Sequence, residues 1–302
     1  MTTTVVALGG NALIRPGDRG TAAEQAARLR EAAASLKPLF AEPRLVITHG
    51  NGPQVGNELL RQERAADEVP PLPLYLAVAQ TQAEIGALIE AELGSVAGRP
   101  IACLLTHVVV AEGDPAFERP TKPIGPFYSS EQARTLERDR GWTLVDEQGR
   151  GWRRAVASPA PLEVVELAQI RSLLDSGALP VACGGGGIPV VRRDGRLQGV
   201  EAVIDKDRAS ALLAAALGAD RLVILTDVGA VRRGFGTPRE EEVRELSVDE
   251  ADALLAELAE GSMRPKVEAA IAVARAGGEA IITALDRVED ALAGRAGTRV
   301  TA

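Results

Sequence analysis

Lys122, Lys206 and Lys266 are three of only four lysines in a chain with 34 basic residues, the fourth being Lys37. Where arginine is the default cation, a lysine marks a place that needs a compact, mobile point charge instead of a rigid fork. Lys206 sits between two carboxylates in Asp205-Lys206-Asp207, and Lys122 is held in Thr121-Lys122-Pro123-Ile124-Gly125-Pro126. Lys266 ends Gly261-Ser262-Met263-Arg264-Pro265-Lys266, just before an expected helix. A charge triplet is ordinarily a solvated ion cluster. This one follows the apolar run Ala202-Val203-Ile204, which places it at a strand end or partly buried loop where carboxylates can orient an ammonium. Three such cations suit phosphoryl transfer, whose transition state needs positive charge and in-line positioning more than covalent chemistry.

The second signal lies in the glycines and asparagines. Asparagine occurs at Asn11, Asn51 and Asn57 alone, in or just after Gly9-Gly10-Asn11 and Gly50-Asn51-Gly52-Pro53-Gln54. Glycine where a strand meets a helix lets backbone N–H groups approach an anion, and the helix dipole adds to the attraction. A third loop, Gly184-Gly185-Gly186-Gly187, follows Val181-Ala182-Cys183. Ordering four glycines costs much conformational entropy, so the run is expected to make room for a ligand. Neither loop is a dinucleotide fingerprint and no phosphate-binding P-loop occurs, so a nicotinamide oxidoreductase is excluded. No Ser-His-Asp triad or paired-carboxylate hydrolase pattern is present. His49 and His107 are read as hydrogen-bonding loop or core residues, and two histidines far apart make no zinc site, so no metal ligands are assigned.

These loops need a scaffold, and the chain reads as alternating strands and helices. Strands are expected at Thr4-Val5-Val6-Ala7-Leu8, 44–48, 101–106, 179–182, 221–225 and 280–283, with helices at 21–40, from Pro53, and at 74–93, 163–176, 206–217 and 266–276. Such alternation gives a mostly parallel sheet covered by helices on both faces, with ligands at the loops leaving the strands. Residues 112–158, with prolines, turn residues, both tryptophans and a short basic helix, lack that rhythm and are read as a lobe inserted within a single domain of 1–302.

Composition narrows the class. The net charge of −8 without a basic aromatic stripe argues against nucleic acid. No apolar run approaches membrane-spanning length and the first residues carry no signal-peptide pattern, so a cytoplasmic protein is expected. Cys103 and Cys183 are expected to be reduced core residues.

With these residues assembled, the chain resembles the carbamate kinases of the amino acid kinase family, from the first strand to about residue 278. The likeness rests on Ala7-Leu8-Gly9-Gly10-Asn11-Ala12, Thr48-His49-Gly50-Asn51-Gly52-Pro53-Gln54-Val55-Gly56, Asp114-Pro115-Ala116-Phe117, the lysine–proline loop through Tyr128, residues 184–189, and Gly199-Val200-Glu201-Ala202-Val203-Ile204-Asp205-Lys206-Asp207. The lysine–proline loop is specific to carbamate kinases, whereas the glycine loops are shared more widely. The resemblance implies a three-layer αβα sandwich on an open, mainly parallel eight-stranded sheet, a protruding lobe over the site, and a homodimer. It implies that ADP and carbamoyl phosphate give ATP and carbamate reversibly, with Mg²⁺. By position, Gly9, Gly10, Asn11, Gly50, Asn51 and Gly52 would hold the carbamoyl phosphate or transferred group, and Lys122 would reach in from the lobe. Lys206, steadied by Asp205 and Asp207, would bridge the migrating phosphoryl, and Lys266 would hold nucleotide phosphates. Gly185, Gly186, Thr226, Asp227, Val231 and Met263 would line the nucleotide pocket. The chain departs from the family pattern at Gly229, Arg232, Arg264 and His107. Two rivals share this reading: a sister kinase for a larger acid such as acetylglutamate, against which the Lys122 loop argues, and a catalytically idle nucleotide sensor, which an activity assay separates.

Overall fold

The computed structural model describes residues 2–15, 17–147, 151–258 and 263–302. Its main sheet is built from Thr3–Leu8 (β1), Arg44–His49 (β2), Ile101–Cys103 (β3), Leu179–Val181 (β4), Arg221–Thr226 (β5), Glu245–Ser247 (β6), Glu279–Ala284 (β7) and Thr298–Thr301 (β8). These eight strands lie in the order β6-β8-β7-β5-β1-β2-β4-β3. All neighbours are parallel except β7 and β8, which are antiparallel.

The apolar runs are continuous because both faces of the sheet are covered. Alternate residues of β1 feed two separate cores. Val5 and Ala7 pack with Ala209, Leu213, Val267 and Ile271 from helices Lys206–Leu217 and Arg264–Arg275. Val6 and Leu8 pack with Leu29, Leu36, Ile85 and Ile89 from helices Ala22–Phe40 and Leu74–Ala97. That is the expected αβα sandwich. Strand order reverses at β1, which has β2 on one side and β5 on the other. The loops leaving β1 and β5 therefore diverge, and a crevice opens between them at the strands' carboxyl ends.

Local chemistry sets the helix ends. Thr21 and Glu24 form a capping box ahead of Ala22–Phe40, and Pro53 lies in the first turn of Gly52–Arg64, where its missing N–H costs nothing. The Asp205 carboxylate caps Lys206–Leu217 by accepting from the N–H groups of Asp207 and Arg208.

Several expected boundaries move. The run 101–106 yields only a three-residue strand, because Thr106 turns away and the chain enters a second sheet as His107–Val110, paired with Ile188–Arg193. The helix expected over 163–176 starts only at Leu167, since Pro161–Val164 pairs antiparallel with His107–Val110. Lys266 lies inside the first turn of helix Arg264–Arg275 and not ahead of it. Cys103 is only partly buried, while buried Cys183 ends no strand but adopts φ 50° at the head of the glycine turn. Both thiols are free.

Lys122–Tyr128, Trp152–Val156 and Thr143–Asp146 form a separate antiparallel sheet with Trp152–Val156 in the middle. Helix Ser130–Arg140 packs on it, and the Arg154 guanidinium lies 4.4 Å from the Trp142 ring centre. This unit meets the body backbone to backbone. A Cβ at Gly56, in helix Gly52–Arg64, would stand 2.3 Å from the Cα of Gly125. The strand that carries Lys122 is thereby pressed against the helix that springs from the Gly50-Asn51-Gly52 loop.

Candidate functional site

A cleft of about 190 Å³ opens where β1 and β5 diverge, lined by Gly9, Gly10, Ala12, Lys206, Leu225, Thr226, Asp227, Lys266 and Leu285. Its floor is the first turn of helix Lys206–Leu217, where two carboxylates organise all three lysines singled out above. Asp207 is 97% buried and accepts from Lys206 on Oδ1 and from Lys266 on Oδ2, the latter at 3.1 Å. Asp205 gives Oδ1 to the helix N–H groups and receives Lys122 Nζ on Oδ2 at 2.8 Å. Neighbouring residues of one helix turn thus gather cations from the three-stranded sheet, from their own helix and from a second helix.

Burial sets the electrostatics. Lys206 is driven below the ordinary lysine range by desolvation first, with the Lys266 charge adding to it and Asp207 opposing. Burial is the largest single influence on Lys266 and opposes its charge, but Asp207, with Asp205 and Asp227, together outweigh it and the net shift is upward. Burial would raise Asp205, yet the Lys122 and Lys206 ammoniums hold it well below the usual carboxylate range. Two cations and their shared anion form a preorganised patch of positive potential facing the cleft, the provision that a migrating phosphoryl group requires.

The remaining candidates fall into two groups. Gly9, Gly10, Thr226 and Asp227 line the cleft, and the Thr226 hydroxyl donates to Asp227 Oδ1 at 3.0 Å. Gly50 lies beside Lys206, since a Cβ on it would be 3.3 Å from Lys206 Cδ. Gly52 begins the adjoining helix. The Asn51 side chain is buried and donates to the Thr81 hydroxyl at 2.9 Å, so this loop offers an anion backbone N–H groups. Asn11 falls in the turn Gly10–Ala12, and its side chain lies outside the described atoms.

Four residues expected on the nucleotide are absent from the lining of this cleft. Val231 is fully buried and its N–H donates to the Thr298 hydroxyl. Met263 caps helix Arg264–Arg275 and packs against the core. Gly185 and Gly186 are buried against protein: a Cβ would meet the Asn51 amide at 2.3 Å in one case and the Ile204 carbonyl oxygen at 2.3 Å in the other. A glycine run reports close approach without naming what approaches. Of the departures from the family pattern, His107 binds Glu166 through Nδ1 at 2.7 Å and Arg232 pairs with Glu240 and Glu242.

Gly186→Ala is expected to destabilise the protein by about 3–5 kcal/mol, combining a φ of 91° with the clash against Ile204. Gly195→Ala shares a positive φ of 75° but has nothing within 4 Å, so it isolates the backbone part. Urea unfolding of both variants should show a gap of about 2 kcal/mol between them, and equal losses would remove the packing argument.

Sequence reasoning missed Thr81 and Gln82 in helix Leu74–Ala97. Gln82 donates to the Gly184 carbonyl at 2.9 Å and accepts from the Thr106 N–H at 2.5 Å, tying the glycine turn to the helix. Nothing local marks a threonine and a glutamine on a long helix as supports.

Comparison with known proteins identifies the family. The family model described as "Amino acid kinase family" matches residues 2–284. A carbamate kinase of Thermococcus kodakarensis is 43% identical over 312 residues, covering 99% of both chains. One from Halobacterium salinarum is 45% identical, with 99% of this chain and 98% of that one covered. Among solved structures, carbamate kinase from Giardia lamblia bound to AMP-PNP superposes with a TM-score of 0.90 at 39% identity, covering 99% of this chain and 98% of that chain.

Proposed function

Since this chain belongs to the amino acid kinase family and is a phosphotransferase, we propose that its cleft carries out the carbamate kinase reaction on the three-lysine floor described above. A β-phosphate oxygen of ADP attacks the phosphorus of carbamoyl phosphate, the bond from phosphorus to the carbamoyl oxygen breaks, and ATP and carbamate leave. The carbamate then falls apart to ammonia and CO₂. The reverse step phosphorylates carbamate from ATP. The observation that carries this reading is the pairing of Lys206 and Lys266 on the two oxygens of Asp207, with Lys122 on Asp205.

The roles follow from position. Lys206, buried at the cleft floor between the β1 and β5 loops, neutralises charge on the oxygens of the group in flight. Lys266, whose side chain lines the same cleft, holds the nucleotide phosphates, and the backbone at Gly9 and Gly10 faces the transferred group. Lys122 arrives from the lobe and covers the side where the small acid enters. Asp205 and Asp207 position these ammoniums. Thr226, Asp227, Leu225 and Leu285 receive the nucleoside end, held by aliphatic and backbone contacts in a chain with eight aromatic residues. Magnesium keeps most of its water and rides on nucleotide phosphates with one or two carboxylates. The cleft suits that arrangement: Asp205 and Asp207 are occupied by lysines, no larger ligand cluster occurs among the described residues, and Asp227 is the carboxylate left to meet a metal–nucleotide. There the ion would neutralise phosphate charge.

The outer edge of β3, with Leu105 just beyond it and Val96 on the preceding helix both exposed, supports a homodimer. Among the described residues no helix is long and apolar enough to cross a membrane. A cytoplasmic setting, in which free Cys103 and Cys183 stay reduced, completes the reading.

The test is ATP formation from ADP, Mg²⁺ and carbamoyl phosphate. ATP formed at a rate proportional to enzyme is the expected result. A folded protein that instead phosphorylates acetylglutamate from ATP would keep the family and discard the substrate. No transfer to any acid would leave a nucleotide sensor.

A further inference from the structure

His49 and the glycine turn at 184–187 are the two sequence features that the proposed reaction leaves unused. His49 ends β2 with its side chain fully buried, and its Nδ1 lies 3.0 Å from the Gly50 carbonyl oxygen. A carbonyl only accepts, so Nδ1 carries the proton and donates. Nε2 is then a bare acceptor, buried and without a hydrogen-bond partner. It faces Gly184, where a Cβ would stand 2.4 Å away. Burial foremost, and the nearby Lys206 charge, push the imidazole down to about 4. At neutral pH the ring is therefore uncharged with its one proton fixed.

That proton has a geometric consequence. In a trans peptide the C=O and the following N–H point in opposite directions. With the Gly50 carbonyl held inward by His49, the Asn51 N–H points the other way, and Lys206 borders this peptide, since a Cβ on Gly50 would stand 3.3 Å from Lys206 Cδ. The Asn51 side chain cannot swing, since Thr81 holds its amide and Gly185 closes behind it. Gln82 in turn pins the Gly184 carbonyl.

We infer that His49 is a positioning residue for the transfer step: by donating from Nδ1 to the Gly50 carbonyl it aims the Asn51 N–H at the transferred phosphoryl group, with the 184–187 glycines as a rigid floor beneath it. This rests on the phosphoryl-transfer reading of the cleft.

The test compares His49→Asn with His49→Leu. Both leave the same space where the far side of the ring was, but only asparagine keeps an N–H donor near the Nδ1 position. The expected result is a similar loss of thermal stability in both. kcat should fall about 10²-fold in His49→Leu, stay within about fivefold of wild type in His49→Asn, and leave KM for ADP unchanged in each. Equal kcat in the two variants, with wild type active, overturns the proposal while the reaction stands. If wild type transfers no phosphoryl group, the proposal falls with the reading it rests on; if wild type is active but the variants do not fold, ¹⁵N-histidine NMR of the wild-type chain decides it. With only two histidines the spectrum is simple. A ring protonated on Nδ1 alone across neutral pH is expected, and a proton on Nε2 overturns the inference.

Discussion

Lys206→Met is expected to lower the rate of ATP formation about 10³-fold while leaving a folded protein. Methionine keeps the length and apolar stem of the side chain, which is only 13% exposed, and deletes the charge. The fold should tolerate this because Asp207 retains Lys266 at 3.1 Å, so no buried carboxylate is orphaned. Desolvation and the Lys266 charge already disfavour the Lys206 ammonium, and its removal relieves that repulsion. The loss should fall on kcat, with KM for ADP nearly unchanged, since a charge needed by a group in flight acts on the transition state more than on bound nucleotide. Lys206→Arg should not restore activity, because a planar fork does not fit where a point charge is packed. The check is a coupled ATP assay beside thermal unfolding. A folded methionine variant retaining a tenth of wild-type kcat would move the catalytic charge to Lys266 or Lys122.

The same depressed ammonium has a pH signature. A lysine held below its ordinary range loses its proton earlier as pH climbs, so the alkaline limb of kcat should lie below the 10.5 of a free lysine. Asp205, held low by Lys122 and Lys206, stays ionised well into acid and should contribute no acid limb near neutrality.

The lysines were legible in the sequence because arginine is the default cation of this chain, so each exception carried information. The strands β1, β2, β5 and β7 were legible because burial on both faces makes an unbroken apolar run. By contrast β6, Glu-Leu-Ser, and β8, Thr-Arg-Val-Thr, lie toward the sheet edge and leave no run to read. The glycine turn was expected to make room for a ligand, but what crowds it is protein, from Asn51, His49, Ile204 and Val108, and local sequence carries no record of them. The supports Thr81 and Gln82 were invisible for the same reason. Helix boundaries near Leu167 and Arg264 shifted by a few residues where a strand pairing or a proline set the start. What a sequence states well is which chemistry is assembled, and what it omits is the packing that aims it.

Asp207→Leu is expected to destabilise the protein by about 3–5 kcal/mol near neutral pH and to abolish transfer. The carboxylate is 97% buried and is the shared partner of Lys206 and Lys266. Without it two ammoniums remain close together in a desolvated floor, each repelling the other. Combining it with Lys206→Met removes one of them, so the double variant should be more stable than Asp207→Leu alone, a coupling of about 1–3 kcal/mol in a double-mutant cycle. The sign with pH follows from the same charges. In Asp207→Leu both lysines have folded pKa values below their unfolded ones, so the unfolded chain binds more protons and stability rises with pH. The deficit against wild type is complete at neutral pH and should shrink as pH approaches about 9.5. Urea unfolding at both pH values measures this directly. A deficit that is independent of pH, or a double variant no more stable than the single, would mean that Asp207 serves packing and not the two lysines.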